Sequence, residues 1–356
     1  MKNKVILVGA INEGGVATCG ETMKNQLFVK RFKELFDEVI TVDTRNWQKR
    51  PWILAKLFFV LVAYGRKYPV ILSACPISVN KTIYITNHLF KRVRVYYWVI
   101  GGNLQDYVKR GEVSSKELQK LCGVYVEGNT MKVELEKHGL TNVSVVPNFK
   151  PITYTPTIEP KKDGEMCRFV FLSRVHPDKG IGEILAATKQ LNAAGLQQMF
   201  EVDFYGKIEP AYEDRFRTEI AKVPNANYKG FLDLTNNEGY DTLSKYDVML
   251  FPTYWGGEGF PGVVIDANMS GLPIIASDWN MNKEVVVDGQ TGFIIPVHDS
   301  NVLAAYMRKI INKEVDLVAM KRYCVDYIQQ YDYHNILSEE LMKNILEKQH
   351  SHHWVE

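Results

Sequence analysis

The 356-residue chain is poor in cysteine, with five in all and no CxxC pair. Cys19, Cys75, Cys122, Cys167 and Cys324 are odd in number and far apart. That argues against a zinc site or disulfide frame and for a reducing compartment. No two aspartates are separated by a single residue, so the D-x-D pair that chelates a metal is absent. Long apolar runs are absent too. The longest, 52–64, is interrupted by Lys56 and is too short to span a bilayer. The opening MKNKVILVGA reads as a core strand entering a glycine-bearing loop, without the apolar length or cleavage site of a secretory signal. A cytoplasmic location is therefore expected. The chain shows no tandem repeat of short period and no low-complexity tract.

What is present fits an ordinary globular protein large enough for two α/β domains, with 46% hydrophobic residues. The net charge of +2 is unevenly spread: residues 1–150 carry +11 and residues 151–356 carry −9. A basic half can face anionic lipid, nucleic acid or an anionic substrate. Short apolar strands alternate with amphipathic helices. Strands are expected at 5–8, 39–42, 70–72, 93–99, 124–126 and 143–146. Helices are expected at 22–36 and 81–91. A second series of strands covers 168–172, 200–205, 227–228, 248–251, 274–276 and 293–295. This βαβ rhythm predicts mostly parallel, doubly wound sheets. Residues 148–163, with Pro151, Pro156 and Pro160, read as the linker. The expected domains are 1–150 and 151–334, with a C-terminal helix at about 335–356 returning to the first. The tail 350–354 is His-rich.

The most informative stretch is 247–296. Strand 248–251 breaks at Pro252 into a loop holding Gly256, Gly257, Glu258 and Gly259. Phe260, Pro261 and Gly262 lead into a helix at 263–269 that carries Asp266. Glycines that let a ligand approach the backbone, with a carboxylate at the mouth of a helix, can hold a polyhydroxylated anionic ligand. Upstream, FLSRVHPDKGI places Arg174 and Lys179 around a turn before a helix. The fork of an arginine and the point charge of a lysine suit a diphosphate. Taken alone, the two read as a solvated surface loop.

This stretch resembles the retaining glycosyltransferases of family 4, which have the GT-B fold. Their pattern EGFG…LEAMA.G.PVIA…E.V.DG.TGFL is similar to EGFPGVVIDANMSGLPIIAS followed by Glu284, Asp288, Gly289, Thr291, Gly292 and Phe293. The family's second glutamate is here Asp266. The resemblance implies two Rossmann-like doubly wound domains facing a cleft. It assigns Arg174 and Lys179 to the donor diphosphate and Glu258 to the donor hexose. Backbone amides of Gly259, Phe260, Pro261 and Gly262 would meet sugar and phosphate. Asp266 would meet the ribose, one methylene short. Gly206, Gly230 and Phe231, at strand ends, would line the base pocket, or be ordinary strand-to-loop punctuation. Gly14 and Gly15 follow the first strand and resemble the family's first glycine-rich loop. That loop holds no G-x-G-x-x-G, so a dinucleotide cofactor is poorly supported.

Where many relatives carry a histidine near the sugar, the segment 95–104 offers Trp98, Gly101, Gly102 and Asn103. Of these, Trp98, Gly102 and Asn103 are the acceptor-side candidates. His88 reads as structural. Residues 45–67 mix Trp47, Trp52, Phe58 and Phe59 with Arg45, Lys49, Arg50, Lys56, Arg66 and Lys67. This composition suits contact with an anionic membrane or a buried helix with a solvated rim.

The expected activity is transfer of a hexose-type sugar, with retention, from a nucleotide diphosphate sugar such as a UDP-sugar. The acceptor is a glycan or lipid-linked hydroxyl in bacterial cell-surface or exopolysaccharide synthesis. No metal, cofactor or nucleic-acid partner is expected. A sugar-nucleotide epimerase or hydrolase of the same fold, or a non-catalytic nucleotide-sugar-binding partner, is the alternative.

Overall fold

The computed structural model describes residues 3–15, 19–90, 92–162 and 164–347. The His-rich tail, Lys91 and Asp163 lie outside the described residues. The chain forms two compact units, Met1–Pro151 with Tyr331–Glu356, and Ile152–Gln330.

The first unit is built on β1 (Lys4–Gly9), β2 (Glu38–Asp43), β3 (Val70–Ala74), β4 (Val95–Val99), β5 (Gly123–Val126) and β6 (Val143–Val145). All pair in parallel, in the order β2-β1-β3-β4-β5-β6. Their helices are α1 (Gly20–Leu35), α2 (Trp52–Val60), α3 (Pro76–Leu89), α4 (Leu104–Lys109), α5 (Ser115–Gln119) and α6 (Asn129–Lys137). Strands covered on both faces read as unbroken apolar runs, which is why β3 and β4 are buried at every residue. On α1, Phe28 and Phe32 repeat at four-residue spacing and enter the core with Trp98 and Phe149. Helix α3 starts five residues before the expected 81, because Pro76 fits the first helical turn after Cys75.

The second unit contains β7 (Cys167–Leu172), β8 (Phe200–Tyr205), β9 (Ala226–Gly230), β10 (Val248–Phe251), β11 (Ile274–Ser277) and β12 (Gly292–Ile295). They are again parallel, in the order β12-β11-β10-β7-β8-β9. Its helices are α7 (Ile181–Ala193), α8 (Glu213–Ile220), α9 (Asn237–Leu243), α10 (Gly262–Met269), α11 (Asn282–Val285), α12 (Ser300–Ile311) and α13 (Leu317–Ile328). Caps mark their starts: the Asp299 carboxylate accepts from Asn301 N and Val302 N, and Asp316 accepts from Ala319 N.

Two short helices, α14 (Tyr333–Ile336) and α15 (Glu339–Glu347), return to the first unit. There Met342 and Ile345 join the core, and Tyr96 Oη donates to Ile345 O at 3.1 Å. The proline-bearing segment is not a free linker over its whole length. Tyr154 Oη donates to Asp241 at 2.8 Å and Lys161 pairs with Asp247, so this stretch is strapped along the second unit. Among the described residues no helix is long and apolar enough to cross a membrane.

Candidate active site

In the second sheet the chain runs outward from β7 through β8 to β9, then returns to the other side of β7 as β10. The loops after β7 and β10 therefore part at a topological switch point, where doubly wound sheets bind their ligands. Arg174 lies two residues past β7, Lys179 ends a 3-10 turn at Pro177–Lys179, and Glu258 sits in the loop after β10. The structure brings the lysine and the glutamate, 79 residues apart, into a direct pair. Lys179 Nζ donates to Glu258 Oε2, with the side chains only 6% and 11% exposed. Thr253 Oγ1 lies 3.1 Å from the same oxygen. Glu258 Oε1 has no hydrogen-bond partner among the described residues. Trp255 is the platform beside them. The Arg174 guanidinium lies 4.8 Å from its ring centre, Lys179 Nζ 5.8 Å, and His176 meets it edge-on at 4.9 Å.

Glycine permits this close approach. Gly180 has φ +80°, and a Cβ there would stand 2.3 Å from Pro252 O, so only glycine lets the two loops touch. The loop after β10 is then pinned by Tyr254 N to Asp178 O at 2.8 Å and Trp279 Nε1 to Trp255 O at 2.8 Å. Asn280 Nδ2 donates to Glu258 O at 2.9 Å. Helix α10 opens at Gly262 behind Pro261; Val264 N donates to Pro261 O at 3.0 Å, and the Gly262 and Val263 amides ahead of it lie at the end of the helix that favours an anion. Gly259 and Phe260 are both buried, with the Phe260 ring turned into the protein interior. Gly257, Gly259 and Gly262 also spell G-x-G-x-x-G, a spacing missed in reading the sequence. Because β10 ends at Phe251, the first glycine does not form the tight strand-to-helix turn of a dinucleotide site.

Asp266 is buried on α10 and accepts a hydrogen bond from Tyr240 Oη at 3.0 Å. Burial, with the Asp266 charge beside it, pushes the Tyr240 phenol well above its ordinary pKa. Gly206 and Gly230 both lie at strand ends on the same sheet edge, and Gly206 N donates to Gly230 O at 2.8 Å. Gly206 has φ +140°, and a Cβ would meet Ser173 O at 1.7 Å, so it holds the β8 end against the β7 loop. Phe231, which follows Gly230 in the chain, is exposed. The downstream motif residues make a turn: Val287 N donates to Thr291 Oγ1 at 2.8 Å and Ile294 N to Asp288 at 3.0 Å. A Cβ on Gly292 would lie 1.9 Å from Ile274 O, so this glycine lets β12 pair with β11.

In the first unit, Gly14 and Gly15 follow β1, beside the β1/β3 reversal. Gly15 N donates to Asn12 O at 2.9 Å and Gln26 Nε2 to Gly15 O at 2.9 Å, which makes a tight turn. The acceptor-side reading of Trp98 is corrected. Its ring is fully buried in the core, 4.8 Å from Phe28 and 4.5 Å from Tyr125. Gly102 O accepts from Gln105 Nε2 at 2.9 Å and Asn103 precedes α4. Thr253, Trp255, His176 and Asn280 were missed. Only the position of Thr253 and Trp255, just after a strand end, could have drawn notice.

Residues 158–330 match the family model described as glycosyl transferases group 1, a match that covers most of the second unit. A UDP-N-acetylglucosamine–peptide N-acetylglucosaminyltransferase GtfA subunit of Streptococcus gordonii is 33% identical over 162 residues, 43% of this chain and 29% of that protein. The capsular polysaccharide biosynthesis glycosyltransferase CapM of Staphylococcus aureus is 27% identical over 147 residues, 40% of this chain and 36% of that protein. The chain thus spans about a third of these curated relatives. A solved sucrose-phosphate synthase from Thermosynechococcus elongatus aligns with TM-score 0.75 and 14% identity, covering 97% of this chain and 98% of that one. That likeness shows the fold, GT-B, with two Rossmann-like α/β units.

Proposed function

We propose that this chain transfers a hexose-type sugar from a UDP-sugar to a hydroxyl of a glycan or lipid-linked acceptor, with retention at the anomeric carbon. The convergence of Arg174, Lys179 and Glu258 at the switch point of the second sheet carries the reading. Arg174 and Lys179 neutralise the leaving diphosphate, whose bond to the anomeric carbon breaks as the acceptor oxygen bonds on the same face. The acceptor proton passes to a phosphate oxygen of the leaving group. Lys179 and Thr253 hold Glu258 Oε2, and Oε1 is left for a sugar hydroxyl. The curated relatives, one a UDP-N-acetylglucosamine–peptide N-acetylglucosaminyltransferase subunit and one a capsular polysaccharide biosynthesis glycosyltransferase, support the donor class and a bacterial surface-glycan context.

The absence of a D-x-D pair and the presence of two cations support chemistry that needs no metal. Residues 45–67 support peripheral contact with an anionic membrane on the cytoplasmic side.

The test is incubation of the chain with UDP-sugars and candidate lipid-linked or glycan acceptors, followed by NMR of the product's anomeric centre. Retained configuration supports the reading. An inverted product sinks the mechanism. UDP release that is independent of every acceptor favours a hydrolase.

A further inference from the structure

We propose that the outward face of α2 and α3 is a docking surface for an anionic lipid bilayer. The inference extends the contact proposed for 45–67 to a second helix, and its test uses no sugar nucleotide, so its failure leaves the transferase reading standing.

Helix α2 and the π-helical turn Leu61–Gly65 bury one stripe, Ile53, Leu57, Val60 and Leu61, on the unit's own core. The opposite face stays apolar in water: Trp52 is 63% exposed and Phe59 69%. On α3 the outward positions are Ile77, Lys81, Tyr84, Ile85 and His88, the spacing of a single helical face, with Leu89 beside them. Phe58 meets Phe90, just past α3, edge-on at 5.6 Å, which joins the two faces. Ten of the sixteen large hydrophobic side chains that stand exposed among the described residues fall between Trp52 and Leu89. A soluble surface scatters such residues singly, so their concentration marks an interaction site.

Charge selects the occupant. Residues 44–105 hold ten Lys and Arg and no Asp or Glu. Lys49, Arg50, Lys56, Arg66 and Lys81 are exposed, and none has a carboxylate partner among the described residues. Glu117, on α5 near α3, is occupied by Lys120 at 2.7 Å. Exposed aromatics rimmed by unpaired cations match the headgroup layer of an anionic leaflet. A second copy of the chain in a two-fold contact would set these cations against themselves.

The experiment is flotation of the full chain with vesicles of phosphatidylcholine, with and without phosphatidylglycerol. The parent should float only with phosphatidylglycerol present. Trp52→Ser with Phe59→Ser, and separately Lys56→Glu with Lys81→Glu, should each weaken binding at least about tenfold at an unchanged melting midpoint. Equal binding to both vesicle types, binding to neither, or variants that bind like the parent would overturn the proposal. So would a parent dimer that these variants dissociate without any vesicle binding, which would make the face a homomeric interface.

Discussion

Each unit contains a buried lysine–glutamate pair at the carboxyl end of its parallel sheet, and the two differ in their surroundings. In the first unit Lys24 Nζ donates to Glu127 at 2.6 Å, with the side chains 4% and 5% exposed and Phe149 5.6 Å beneath the ammonium. In the second, the Lys179–Glu258 pair adjoins the Arg174 guanidinium, a tryptophan face and a loop rich in glycine. Both pairs bear the desolvation that buried charges suffer. The first, both side chains almost wholly buried and Phe149 beneath the ammonium, reads as a structural tie between α1 and the end of β5. The second keeps one carboxylate oxygen unfilled beside another cation. Burial of a charge pair is therefore not what marks a site. The uncommitted groups around it are.

This contrast can be broken by removing one partner at a time. Lys24→Ala removes the ammonium that donates to buried Glu127 and should cost about 3–5 kcal/mol of stability while leaving nucleotide affinity alone. Lys179→Ala should cost a similar amount and also weaken nucleotide binding. Denaturant melts and titration with UDP on both variants separate the two roles, and a donor defect in Lys24→Ala would erase the distinction. Glu258→Gln should lower transfer by about a hundredfold or more, measured as kcat with saturating donor. Near-parental turnover would remove Glu258 from the chemistry. Gly180→Ala sharpens the same comparison, because its Cβ would strike Pro252 O. A loss of about 1–3 kcal/mol is expected from the strained φ, read by chemical denaturation.

The smallest effect concerns Glu21, in the first turn of α1. Burial raises its pKa above the ordinary 4.5, partly offset by the thiol of Cys75, which donates to it at 3.4 Å. A raised folded-state value makes its contribution most favourable below 4.5, and that contribution is lost as pH rises through the folded value. Glu21→Gln should therefore melt slightly higher than the parent at neutral pH and level with it in acid. The opposite order would contradict the burial argument.

Much of the fold was legible from residues. Among the described residues all twelve strands fall on the expected segments, and they differ from expectation by at most two residues at either end. Strand order was not legible, because it depends on which side of β7 the chain returns to, and no local pattern encodes that. The direction of Trp98 was unreadable for a related reason. Strand β4 is buried on both faces, so it has no alternation to separate core from cleft. The exposed faces of α2 and α3 were hidden because an apolar side chain looks the same in sequence whether it packs or waits for a partner. At the candidate site, Arg174, Lys179 and Glu258 were found through a motif. The pairing of Lys179 with Glu258 and the Trp255 platform needed the fold to bring them together.

The most direct measurement is thermal melting of the parent and of Arg174→Ala with UDP, GDP and ADP. If the second unit's switch point holds a nucleotide diphosphate, UDP at a hundred times its dissociation constant adds about 2.7 kcal/mol. That is a rise on the order of 4 °C, and Arg174→Ala should shrink it strongly at the same concentration. No rise with any nucleotide, or an equal rise in the variant, would contradict the assignment.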